Sequence, residues 1–120
     1  MPFEIRTTRY FSAAHALRLL DGSLEPVHGH NWRVEVAVSA DGLDGMGVVM
    51  DFHELERLVD EVVVPMHNRH LNELEAFERV NPSAEGVAFH IARSLRVPGQ
   101  VRLLSVAVWE TAENVAIYRH

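Results

Sequence analysis

His28-Gly29-His30-Asn31-Trp32-Arg33-Val34-Glu35-Val36-Ala37-Val38 alternates without a break. The even positions run His, His, Trp, Val, Val, Val and the odd ones Gly, Asn, Arg, Glu, Ala. Such alternation predicts a strand with one buried face. Both histidines then point to the same side, about 7 Å apart at roughly 3.4 Å of rise per residue, near enough to reach one metal ion. His-x-His on a strand is a moderately specific signal, which a third ligand would sharpen.

That third ligand is available upstream. Residues 3 to 17 read as a first strand, with Phe3, Ile5, Phe11, Ala13 and His15 on one face and Glu4, Arg6, Thr8 and Ser12 on the other. A lone histidine on an apolar face is ordinarily a hydrogen-bonded core residue. Beside His28 and His30, however, His15 completes a set of three imidazoles with an open coordination position, the ligand set of a catalytic zinc site.

The chain of 120 residues is expected to form one domain, 1–120, and carries a formal charge of −6 with only 11 Lys plus Arg. That balance argues against a nucleic-acid footprint. It leaves room for an anionic small substrate held by a few local cations. Cysteine is absent, which removes disulfides, thiolate zinc sites and Cys nucleophiles. No apolar run is long enough to cross a membrane and no signal peptide is read, so a cytoplasmic location without a membrane partner is expected. Eight histidines are many for this length, and their convergence is the question to ask.

The remaining elements follow from their punctuation. Residues 18–27 form a loop containing Asp21, Gly22, Ser23 and Pro26, and Asp41-Gly42 ends the second strand with a turn. Asp51 is an N-cap with Glu54 completing a capping box. Phe52, Leu55, Leu58, Val59 and Val62 then recur at helical spacing until Pro65. Asn81-Pro82 is expected to start a second helix with the stripe Ala84, Val87, Ala88, Ile91, Ala92 and Leu95. His53 and His90 fall opposite the apolar stripes and are expected at the surface. Residues 101–111 and 115–119 read as third and fourth strands. The order β-β-α-α-β-β predicts an α+β fold: an antiparallel four-stranded sheet with two helices on one face. Four strands leave two free edges, and pairing with neighbouring subunits would close them.

Taken together, Phe11-Ser12-Ala13-Ala14-His15, His28-Gly29-His30-Asn31-Trp32, Gly47-Val48-Val49-Met50-Asp51-Phe52, Leu71-Asn72, Asn81-Pro82-Ser83-Ala84-Glu85 and Glu110-Thr111 with Tyr118 form a specific pattern. The chain resembles the 6-pyruvoyl-tetrahydropterin synthase family, which includes the 6-carboxy-tetrahydropterin synthases of the queuosine route. The resemblance implies the T-fold, in which trimers close a twelve-stranded barrel and stack as a homohexamer. It implies Zn2+ held by His15, His28 and His30, and a pterin substrate anchored by Glu110. A carboxylate can accept two hydrogen bonds from the pterin 2-amino group and N3–H, the pairing by which acidic side chains read base edges. Trp109 and Thr111 flank that anchor and suit a lined pocket.

The departures from the family fall on its catalytic base. Family enzymes usually carry a cysteine shortly before His-Gly-His, and the corresponding position here is Leu24. The usual Leu-Asp-His ahead of Leu-Asn reads Met66-His67-Asn68, so the relay Asp and His become His67 and Asn68. Some bacterial members use a glutamate three residues before His-Gly-His, where Glu25 stands. Those members resemble a variant that shortens the side chain of dihydroneopterin triphosphate to a 6-hydroxymethyl-dihydropterin for folate synthesis.

The expected function is thus a zinc-dependent lyase acting on the side chain of 7,8-dihydroneopterin triphosphate or a related dihydropterin. Glu25 or His67 would serve as base, Glu110 and Thr111 would bind substrate, and Arg69, His70 and Arg18 are candidates for the triphosphate by charge alone. A zinc-containing pterin-binding protein that has lost the reaction is the alternative, and a His-ligated zinc hydrolase on another substrate ranks behind it.

Overall fold

The computed structural model describes residues 3–120. Two long strands, β1 (Phe3–His15) and β2 (His28–Ala40), run antiparallel with His15 opposite His28 and Ala13 opposite His30. Helix α1 (Phe52–Val63) follows, then the two-residue strand β3 (Arg69–His70), helix α2 (Ala84–Ser94), and strands β4 (Arg102–Trp109) and β5 (Val115–Arg119). The sheet order is β3-β1-β2-β4-β5, with β3 parallel to β1 and every other pairing antiparallel.

The alternation read from the sequence has its physical basis in one shared core. Phe11, Trp32, Val34, Val36, Val38, Val106 and Val108 pack with Leu55 and Val59 of α1 and Val87 and Ile91 of α2. Burying each such side chain contributes about 1.5–3 kcal/mol. No helix among the described residues is long and apolar enough to cross a membrane.

Several boundaries differ from the sequence reading. The sheet has five strands rather than four, because β3 adds to the end of β1 at Ala13 and Ala14; two residues are too few to carry a periodic signal. β1 ends at His15 rather than at residue 17, and β4 ends at Trp109, so Glu110 and Thr111 lie just beyond it. Helix α2 begins at Ala84 with Ser83 as N-cap, its Oγ accepting from the Gly86 amide at 3.0 Å, and Pro82 precedes the cap. Gly86 also lets the chain close over the helix start, since a Cβ there would lie 2.2 Å from the Asn81 carbonyl oxygen.

Asp51 caps α1 as expected, accepting from the His53 amide at 2.9 Å, but Glu54 pairs with Arg57. A charged partner three residues on competes well with a backbone amide. Phe52 and Phe3 are exposed although their spacing assigned them to apolar faces; both stand at element ends, beyond the reach of the core. His53 is exposed as read. His90 is half-buried, because the 3₁₀ turn Glu75–Phe77 brings Phe77 edge-on to its ring at 5.4 Å.

Candidate metal centre and catalytic site

The β1/β2 register carries His15, His28 and His30 to one end of the sheet, and Glu110 reaches them from the end of β4. One donor atom from each of these four residues lies within 4.8 Å of the other three. The rings are packed edge to face, with centroids 4.6 Å apart for His15–His28, 4.9 Å for His28–His30 and 5.3 Å for His15–His30. Beneath them the buried Trp32 donates from Nε1 to the Ala13 carbonyl at 3.2 Å and stacks on Phe11.

The hydrogen bonds of the outer ring nitrogens decide the state of the inner ones. Nδ1 of His15 lies 2.6 Å from the Pro82 carbonyl oxygen, and Nδ1 of His28 lies 2.8 Å from that of Pro26. A carbonyl oxygen only accepts, so each Nδ1 carries the proton and each neutral ring presents a bare Nε2. Those two Nε2 atoms face each other at 3.0 Å. Two lone pairs repel at that distance unless a cation lies between them. Nε2 of His30 is shielded from solvent without a hydrogen-bond partner among the described residues. Burial, opposed by Glu110 and aided by His15 and His28, lowers the pKa of His30 and keeps its ring neutral. Neutral imidazoles oriented through backbone carbonyls are the donor set that a zinc ion takes.

Glu110 is more intimate with the histidines than its sequence assignment implied. Its carboxylate stands 3.7 Å from His15 Nε2 and 3.5 Å from His30 Nε2. It also lines, with Thr111, Leu17, Ala84 and Asn114, a cavity of about 260 Å³. Glu110 therefore borders both the metal-ligand cluster and a space for an organic group.

Glu25 arrives on the loop between β1 and β2. Its Oε1 accepts from the Leu17 amide at 2.9 Å and lies 3.8 Å from His28 Nε2, while its own amide donates to the Leu17 carbonyl at 3.1 Å. Two asparagines hold the other side of this segment. Asn72 accepts from the Ala16 amide at 2.9 Å and donates to the Ala16 carbonyl at 2.6 Å. Asn81 does the same for Arg18, at 2.8 and 3.0 Å. Each carboxamide thus replaces a neighbouring strand for one residue, fixing the segment between His15 and Glu25. Sequence reasoning recognised Asn72 and Asn81 only as parts of motifs. Their role has no periodic signature, since it depends on a carboxamide meeting a distant backbone.

The other candidates are placed elsewhere. His67 accepts the Ser12 amide proton at Nδ1, 3.1 Å away, and stands outside the four-residue cluster. Arg18 donates to the Phe77 carbonyl at 2.5 Å, so its guanidinium already has a partner within the fold. Arg69 and His70 line a cleft of about 550 Å³ together with Ser12, His30, Asn31 and Asn68.

Comparison with known proteins agrees with this geometry. The family model described as 6-pyruvoyl tetrahydropterin synthase matches residues 4–120. A dihydroneopterin monophosphate aldolase of Pyrococcus furiosus is 37% identical over 105 residues, covering 86% of this chain and 85% of that protein. A 6-carboxy-5,6,7,8-tetrahydropterin synthase of Synechocystis is 34% identical over 113 residues, covering 90% and 86%. The 6-pyruvoyl tetrahydropterin synthase structure from Caenorhabditis elegans superposes with a TM-score of 0.84 at 23% identity, over 98% of this chain and 95% of that one. With a five-stranded T-fold and a match over nearly its whole length, the chain belongs to the 6-pyruvoyl tetrahydropterin synthase family.

Proposed function

We propose that this protein is a zinc-dependent lyase that cleaves the side chain of a phosphorylated 7,8-dihydroneopterin, with Glu25 as general base in place of the family's cysteine. The observation that carries the reading is the carboxylate of Glu25 standing 3.8 Å from His28 Nε2, on the rim of the cluster completed by Glu110. The relative named as an aldolase supports carbon–carbon cleavage over triphosphate elimination. Two solved Plasmodium vivax structures of this fold are described as variants of a catalytic glutamate, which supports a carboxylate in such a role.

His15, His28 and His30 would hold the zinc, whose chemistry is to lower the pKa of a substrate hydroxyl. Glu110 would accept from the pterin amino group and N3–H, with Thr111 beside it, so that the side chain lies across the histidines. Glu25 would take the hydroxyl proton as the adjacent carbon–carbon bond breaks and its electron pair enters the dihydropterin ring. The side-chain carbon attached to C6 is then protonated, for which Glu25 can return the proton, leaving a hydroxymethyl group on the ring. The Leu17 amide holds Glu25 at that position. General-base assistance of this kind is worth about 10²–10⁴-fold. Glu25 is preferred to His67 because His67 lies outside the cluster within one chain.

Assembly belongs to the same reading. β3 covers β1 only at Ala13 and Ala14, leaving the outer edge of Phe3–Ser12 and that of β5 without a strand partner among the described residues. Trimers closing a barrel through these edges, paired as a hexamer, would satisfy both. Sedimentation should give a closed oligomer, and a stable monomer would contradict this part.

The function is tested by incubating zinc-loaded protein with the mono- and triphosphates of dihydroneopterin and identifying products by mass. A 6-hydroxymethyl-dihydropterin with a two-carbon aldehyde phosphate is expected. Bound pterin without any product would instead indicate a binding protein.

A further inference from the structure

The cleft lined by Ser12, His30, Asn31, Asn68, Arg69 and His70 is not used by the chemistry above, yet it shares His30 with the metal-ligand cluster. We propose that it is an anion site, with Arg69 supplying the charge, and that it takes the phosphate of the substrate's side chain. This rests on the lyase reading and names the substrate feature that the site selects.

Four features support the assignment. First, the lining holds Arg69 and His70 and no carboxylate, in a chain with 17 Asp plus Glu. Second, the Arg69 guanidinium has no hydrogen-bond or ion-pair partner among the described residues. Arg6, Arg9, Arg57 and Arg102 pair with carboxylates, whereas Arg69 stands on a carboxylate-free lining with its charge uncompensated there. Third, the turn that delivers Arg69 is strained: Asn68 has φ +59°, a left-handed conformation that a residue other than glycine adopts at a cost. Its amide donates to the Ser12 carbonyl at 2.6 Å, and this bond turns Arg69 and His70 alongside Ala13 and Ala14. Fourth, Gly29 also lines the cleft, and a Cβ there would meet nothing nearer than the Ala13 carbonyl oxygen at 3.9 Å. Its φ is not positive either, since Gly22 and Gly47 alone among the described glycines have that conformation. The backbone therefore does not require glycine at this strand position, where glycine is a weak strand former. What its absence of a side chain does provide is open space above the cleft floor.

Distance agrees as well. Arg69 and His30 both register on Ala13, from opposite sides of β1. Two strand spacings separate their backbones by about 10 Å, and an arginine side chain spans much of that gap. A phosphate on a side chain whose hydroxyls lie at the histidines would fall between them, where a guanidinium can bind it through two parallel N–H bonds.

The test uses the full-length zinc-loaded protein and has two arms. Inorganic pyrophosphate is titrated calorimetrically into wild type, Arg69→Ala and Arg69→Lys. Arg69→Ala should weaken binding about tenfold or more, the scale of one lost charge-assisted contact, and Arg69→Lys should restore part of it. In the second arm, kcat/KM is compared for dihydroneopterin and its monophosphate, and Arg69→Ala should lower the preference for the monophosphate by a similar factor. Pyrophosphate binding that is absent in wild type, or unchanged in Arg69→Ala, would overturn the proposal; unchanged binding would assign the anion to the metal. An equal loss on both pterins would overturn it too. If wild type turns over neither pterin, the lyase reading fails, and the pyrophosphate arm alone decides whether the anion site exists.

Discussion

His15 and His28 face each other through Nε2 atoms 3.0 Å apart, while each ring's Nδ1 is hydrogen-bonded to a backbone carbonyl. Neither inner nitrogen carries a proton in the neutral rings, so the pair is stable only around a cation. The sheet register that aligns these residues thereby brings together a donor set that could hold a metal ion. Added zinc should raise the wild-type melting temperature, with about 2.7 kcal/mol of stabilisation at 100-fold excess over Kd. His28→Ala should abolish that shift and lose nearly all bound zinc by elemental analysis. Full zinc occupancy in His28→Ala would remove the assignment.

The asparagine clamps give a second expectation. Asn72 and Asn81 each satisfy both backbone groups of one residue in the segment that joins His15 to Glu25. Replacing either by alanine leaves a half-buried amide and carbonyl without their partner, a loss of about 1–3 kcal/mol. Denaturant midpoints should fall accordingly for Asn72→Ala and Asn81→Ala. An unchanged midpoint in both variants would mean that water replaces the carboxamides without penalty.

Acid stability provides a third. Burial against Phe77, with a smaller contribution from Arg93, lowers the pKa of His90 below the ordinary imidazole value. The unfolded chain therefore binds more protons at this residue once the pH falls below about 6.5. Its contribution is complete above that pH and is lost progressively as the pH drops toward the lower folded value. In urea melts at about pH 7 and about pH 5, His90→Gln should lose less stability between the two than wild type does. Equal losses would exclude His90 as a source of acid sensitivity.

The long alternating strands were legible because one face of each is buried along most of its length, and the same parity aligned His15, His28 and His30. Helices α1 and α2 were legible from their apolar stripes. What escaped had no local period. β3 is held by Asn68 in a left-handed turn and by two residues of β1, and Pro82 sits outside α2 because Ser83 caps the helix while Pro82's carbonyl serves His15. The carboxylates divide in the same way. Glu25 and Glu110 could be singled out by motif, but their approach to His28, His15 and His30 depends on loop paths that only the folded chain sets.

Glu25 is where the proposed chemistry is most exposed to test. Glu25→Gln preserves the shape of the side chain and its ability to accept from the Leu17 amide, and removes the proton acceptor. With zinc content matched to wild type, single-turnover cleavage of dihydroneopterin phosphate by Glu25→Gln should be slower by at least tenfold, a threshold set low against the usual worth of a general base. Pterin affinity, assigned to Glu110, should be retained. Cleavage by Glu25→Gln at the wild-type rate would contradict the proposed mechanism.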